Sequence, residues 1–204
     1  MQRTVEYRHS FATTANKFLT KVLTKTKVGN DADPEALMFP TPESRKDMVG
    51  RYRKGLRFLY SDPDFDNPKS STGIFRSAYY LVVLAHHFKC AQGALPPPGK
   101  SVEDPPDPPI GAMVLAAIAI ERAFKAWKTG EFVEGSVDDF SFNSYQEATR
   151  VYLKHIDDLD DDTINDILQQ AFSVYLGEDG PADNEQAGSN VSDSDDDRRH
   201  LSLQ

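Results

Sequence analysis

The sequence predicts an all-α fold, a single orthogonal or bundle-like domain of about six helices, and three observations predict it. Apolar residues recur at helical spacing in six stretches, while no sustained period-two alternation appears anywhere. The stretch Ile110 to Gly130, IGAMVLAAIAIERAFKAWKTG, joins an unbroken apolar run to a helix stop. Runs of Gly, Pro, Asp and Ser separate the periodic stretches. A chain of 204 residues is long enough for one continuous core that hides roughly 70% of the unfolded surface.

The elements follow in order. Residues 1 to 9 read as an N-terminal arm, and Ser10 to Lys25 as the first helix: Ser10 suits an N-cap, Phe11, Ala15, Phe18, Leu19, Val22 and Leu23 keep one face, and Lys17, Lys21 and Lys25 take another. The composition of this stretch also fits a mitochondrial transit peptide, although so regular a stripe is the commoner mark of a core helix. Thr41-Pro42-Glu43 opens a second helix, with a cap residue and proline at the first helical position. Its buried stripe is Met48, Val49, Tyr52, Leu56 and Leu59, and Gly50 and Gly55 weaken it by about 1 kcal/mol each. Ser61 to Gly73 is a turn-rich loop; Ile74, Phe75, Ala78, Tyr79, Val82, Val83 and His86 mark a third helix to about Gln92.

Residues 95 to 109 hold seven prolines, which excludes helix or central strand and makes a stiff connector. The central helix then needs burial on every side from Ile110 to Ile120; beyond it Glu121 and Lys125 stand in the favourable i,i+4 order. Phe132, Val133, Phe140 and Phe142 are expected to tuck under the domain. Ser144-Tyr145-Gln146-Glu147 has capping-box spacing and opens a fifth helix on Tyr145, Ala148, Thr149, Tyr152, Leu153 and Ile156. Asp161 or Asp162 caps a sixth, striped by Ile164, Ile167, Leu168, Ala171, Phe172 and Tyr175 and stopped by Gly177. The helical domain thus spans 10–177, and residues 178–204, acidic and poor in aromatics, form a disordered tail.

The net charge of -9 is uneven. Residues 1 to 60 carry 12 Lys/Arg against 6 Asp/Glu, and residues 131 to 204 carry 4 against 19. An attraction between the two ends is therefore available. One cysteine, Cys90, excludes an internal disulfide and favours an intracellular protein in nucleus or cytoplasm, where Asn190-Val191-Ser192 is a chance glycosylation pattern. The apolar run of eleven residues is about half of the roughly 20 a bilayer span needs, so no membrane role is expected.

Ala123-Phe124-Lys125-Ala126-Trp127-Lys128-Thr129-Gly130, followed by Tyr145, Tyr152, His155 and Leu159 at helical spacings, resembles the C-terminal half of a domain of unknown function common in mushroom-forming fungi. Phe58 to Pro63, Gly73 to Arg76 and His87 to Lys89 look like its middle section, and the likeness runs over about residues 10 to 176. It implies a fungal intracellular helical domain. No activity comes with it.

The chemistry-bearing residues lean against an enzyme, and a site assembled from scattered side chains stays open because a single sequence hides such sites. His86 and Cys90 lie one helical turn apart, a spacing metals use, but two ligands are too few, and a core histidine beside a buried thiol is the plainer reading. Asp157, Asp158, Asp160, Asp161 and Asp162 lack calcium-loop spacing and suit helix capping. No phosphate loop, nucleophile elbow or zinc motif occurs, and no catalytic residue, metal, cofactor or small molecule is implied. The expected mode of action is contact with a protein partner. The alternative is nonspecific contact with nucleic-acid phosphates through Arg45, Lys46, Arg51, Arg53, Lys54 and Arg57. In the tail, Ser192 and Ser194 precede acids and Ser202 follows basic residues, so these are candidate phosphorylation sites.

Overall fold

The computed structural model describes residues 2–24, 39–91, 107–133 and 135–177. At its centre is α4 (Ile110–Ala126), whose Met113, Ala116, Ala117, Ala119, Ile120 and Phe124 are buried. Four helices touch it: α1 (Gln2–Thr24), α2 (Pro42–Arg53), α3 (Ala78–Ala91) and α5 (Phe142–Asp157). The last, α6 (Asp161–Leu176), packs on α3. The alanines of α4 explain the crowding, because a short side chain lets neighbouring backbones approach closely while still removing apolar surface from water. Burial is not complete along the run, however. Gly111 is exposed and Ile110 and Leu115 are half-buried, so the first turn of α4 opens onto a cavity described below.

Among the described residues the protein is all-α, with one small exception. Tyr60–Asp62 (β1) and Thr72–Ile74 (β2) pair antiparallel, Tyr60 opposite Ile74 and Asp62 opposite Thr72. This corrects the expectation that the third helix begins at Ile74. The buried Ser77 sets the start instead: its hydroxyl donates to Phe58 O at 2.5 Å and accepts from Tyr80 N at 3.0 Å, which caps the helix from Ala78. The second helix likewise stops early. After Arg53 the chain tightens into a 3₁₀ turn (Lys54–Leu59) with Gly55 and Leu56 at positive φ, and this kink turns Arg57, Phe58 and Leu59 into the core.

Three other starts differ from the sequence reading. α1 runs from Gln2, so residues 2–9 are helix rather than an arm, and Ser10 is internal, donating to Tyr7 O at 2.7 Å. Gln2, Arg3, Glu6 and Arg8 are straight-chain helix formers, and Tyr7 is tied to α3 by a 2.7 Å bond to His87 Nδ1. α5 is capped by Ser141, not Ser144, its Oγ accepting from Ser144 N at 3.3 Å. α6 is capped by Asp160, which accepts from Thr163 N at 2.7 Å. Those backbone donors, Thr163 N first, hold the Asp160 carboxyl below the usual range. Thr41 caps α2 as expected, and Gly177 closes α6 in the left-handed conformation. Most of the connector 95–109 and the whole tail, with Ser192, Ser194 and Ser202, lie outside the described residues.

Candidate functional site

The six cations expected to form a polyanion surface on α2 do not stay together. Arg57 is buried: its Nε donates to Asp64 O at 2.8 Å and its guanidinium to Lys54 O at 2.9 Å. A buried guanidinium held by carbonyls stabilises the kink and is lost to any phosphate. Arg45 is half-buried, with Nε donating to Gly130 O at 2.7 Å and a second nitrogen to Phe39 O at 3.0 Å. Arg51 lies over the Phe65 ring at 4.3 Å. Lys46, Arg51 and Lys54 are exposed and Arg53 is half-buried.

The bond from Arg45 explains the Trp127-Lys128-Thr129-Gly130 ending. Gly130 sits at φ +86°, where a Cβ would come within 1.8 Å of Pro42 O, so only glycine lets the end of α4 meet the start of α2. Trp127 is buried and packs on Phe132 at 6.0 Å. Its Nε1, like the Ser136 hydroxyl, is buried with no hydrogen-bond acceptor among the described residues.

The other candidates separate cleanly. His86 is half-buried and its Nε2 lies 3.3 Å from Cys90 Sγ, but Cys90 is exposed, which corrects the expected buried thiol. Burial and then Lys89 push the His86 pKa down. Among the described residues no three metal-binding side chains converge. Glu121 does more than the expected surface pair. Its Oε1 meets Lys125 Nζ at 2.7 Å and its Oε2 accepts from Tyr152 OH at 2.8 Å, a polar rivet between α4 and α5. Burial, with Glu121 second, raises the Tyr152 phenol far above its ordinary range.

What sequence reasoning missed is a groove. Its first half, about 310 Å³, lies between the open first turn of α4 and α5, walled by Val114, Ile118, Tyr145 and Leu153. Its second half, about 400 Å³, lies between the N-terminal part of α1 and the loop after α4, with Val5, Ala12, Phe132, Val133 and Val137 in its walls. Arg8 and Phe140 line both halves and join them. Large apolar side chains stand in water along the rim, Val5 57% exposed, Phe132 45%, Val133 43% and Leu153 39%, while His9, Asn16, Arg122 and Asp139 make the lining of the second half mixed. Phe132 and Val133 were expected to tuck under the domain, and the structure turns them outward. No periodicity could reveal this, because the walls come from segments more than a hundred residues apart in the chain.

Comparison with known families gives a match. A family described as a domain of unknown function, DUF6532, matches residues 1–161, and the chain belongs to that family. No curated protein and no solved structure matches it. The matched segment contains α1 to α5 and the whole groove, and it ends at the first residue of α6.

Proposed function

We propose that this family member is a non-enzymatic binding module, and that its groove seats the apolar face of an amphipathic helix from a partner protein. The observation that carries the proposal is the groove itself, an apolar half between α4 and α5 joined to a half of mixed lining beside α1, with large apolar side chains left in water along its rim. At about 25 cal/mol per Å², exposed apolar surface is costly to a free protein, and a contiguous patch of it is the usual signature of a contact surface. A helix laid in such a groove recovers that area through side chains one turn apart.

The test is affinity capture from a lysate with the wild-type chain, Phe132→Lys/Leu153→Lys, and a control changed on the far side, Lys46→Glu/Lys54→Glu. Wild type and control should enrich the same proteins, and the groove variant should lose them with its melting temperature unchanged. Equal enrichment by all three removes the proposal.

A second reading, nonspecific contact with nucleic-acid phosphates, keeps support from the exposed Lys46, Arg51 and Lys54, while Arg45 and Arg57 are engaged in the fold. Its test is retention on DNA at low salt, which should fall for Lys46→Glu/Arg51→Glu/Lys54→Glu; unchanged retention discards it. The likeness to fungal sequences supports a fungal source with the Trp-Lys-Thr-Gly ending as its mark, and the single cysteine supports an intracellular site. No helix among the described residues is long and apolar enough to cross a membrane.

A further inference from the structure

A second cleft, about 340 Å³, lies across α1 from the groove, between its C-terminal half, α3 and the end of α6. Lys17, Lys21 and Lys89 line it together with His86, over a floor that includes Phe18 and Tyr175. The three lysines come from two different helices and are all exposed at its mouth. α6 ends one residue past its lining, at Leu176, and Gly177 in the left-handed conformation turns the chain away from the helix axis. The next residues are Glu178 and Asp179, and residues 178 to 204 carry eight acids against two arginines. An acidic part of the sequence therefore starts at the edge of a cluster of cations.

We propose that this lysine cleft is the docking site of the chain's own acidic C-terminal segment, residues 178 to 204, acting in cis. Two quantities favour that occupant over a separate polyanion. The tether holds the acids at an effective concentration on the order of millimolar, which a free ligand must exceed to compete. The charges also complement one another, three lysines facing a segment of net charge -6 from eight acids and two arginines. Each exposed pair contributes little, at most about 1 kcal/mol. The association is accordingly multivalent and sensitive to salt. It does not depend on the groove, so it stands or falls apart from the proposed function. The sequence shows an attraction available between the basic and acidic ends; with Arg45 and Arg57 engaged in the fold, the cations of α1 and α3 are the ones the tail reaches first.

Cys90 supplies the test. It is the sole cysteine, it is exposed, and its Sγ is 3.3 Å from His86 Nε2 at the rim of the cleft. A nitroxide attached there in the full-length, isotope-labelled chain weakens backbone NMR signals of whatever lies close. The readout is the acidic run Asp193 to Asp197, far enough along the chain that attachment to α6 alone does not hold it near the label. In low salt these amides should lose about half or more of their intensity relative to the reduced label, as a tether-concentrated contact demands. The loss should vanish in Lys17→Glu/Lys21→Glu/Lys89→Glu, in Asp193→Asn/Asp195→Asn/Asp196→Asn/Asp197→Asn, and near 1 M salt, where the screening length is about 3 Å. Full intensity in low salt, or a loss that persists in both charge variants, overturns the proposal. Titrating an acidic peptide or a short DNA into the tail variant then shows whether the emptied cleft takes an anion in trans; uptake supports the cleft as the seat, and refusal of every anion counts against it.

Discussion

A groove in two halves and a single cleft flank one helix, and they differ in kind. Toward its N-terminus α1 presents Val5, Arg8, His9, Ala12 and Asn16 to a groove of mixed lining whose rim carries exposed apolar side chains; toward its C-terminus it presents Thr14, Lys17, Phe18 and Lys21 to a cleft whose charges, among the described residues, are all cationic. Volume does not distinguish the cleft from either half of the groove, since the halves hold about 310 and 400 Å³ and the cleft about 340 Å³. Chemistry does. Lysines are at home in water, so an exposed lysine cluster needs no partner to be stable, whereas Phe132, Val133 and Leu153 in water run against the burial that folds the rest of the chain. The groove is the surface whose exposure asks for a second macromolecule. The cleft can be satisfied by charges the chain already carries.

The comparison breaks most readily at the joint beneath the groove. Gly130→Ala forces a Cβ against Pro42 O and should destabilise the fold by about 3 kcal/mol or more, read from urea unfolding, and abolish partner capture with it. A loss below about 1 kcal/mol would mean that this joint yields and does not set the loop. Tyr152→Phe removes the bond to Glu121 and leaves a carboxylate still paired with Lys125, so its cost should be about 1 kcal/mol in the same assay.

Acid should act on the other side of α1. Burial lowers the pKa of His86, with Lys89 adding to it, and burial also lowers that of His87. The unfolded chain therefore takes up protons first as pH falls, and the stability tied to the neutral imidazoles is present above about pH 6.5 and lost as pH drops below it. His87 accepts at Nδ1 from Tyr7 only while unprotonated there, and burial, with Cys90 second, pushes the Tyr7 phenol up to about 12. The urea midpoint should fall between about pH 7.5 and 5.5, and the fall should flatten in His86→Gln/His87→Gln. A midpoint that rises on acidification would reverse the assignment. Smallest of all, Lys17→Glu/Lys89→Glu should alter stability by no more than about 0.5 kcal/mol and leave partner capture intact, because both side chains are exposed. Loss of capture in that variant would erase the distinction between the two clefts.

Much of the fold was legible because burial leaves a periodic mark. The apolar run of α4, the stripe of α6 through Ile164, Ile167 and Ala171, and the Thr41-Pro42 start of α2 all stand where their patterns put them. Charges were less informative. Arg57 reads as surface on a helical wheel, but the wheel ends at the Gly55–Leu56 kink, and beyond it the guanidinium turns inward to backbone carbonyls. Caps were off by one or three residues, at Asp160 and Ser141, because several serines and aspartates nearby could serve and packing chose among them. The groove was not legible at all. Its walls are surfaces left over after α1, α4 and α5 have packed, and which apolar residues are left over is a property of the assembly.

The most direct measurement is hydrogen exchange of the full-length chain alone and with a partner captured by the wild type and lost by Phe132→Lys/Leu153→Lys. The account predicts slowed exchange in the first turns of α4 and α5 and in the loop around Phe132 to Phe140, with α2 and α6 unchanged. Protection confined to α2 or to the lysine cleft, with that loop exchanging as in the free chain, would contradict it.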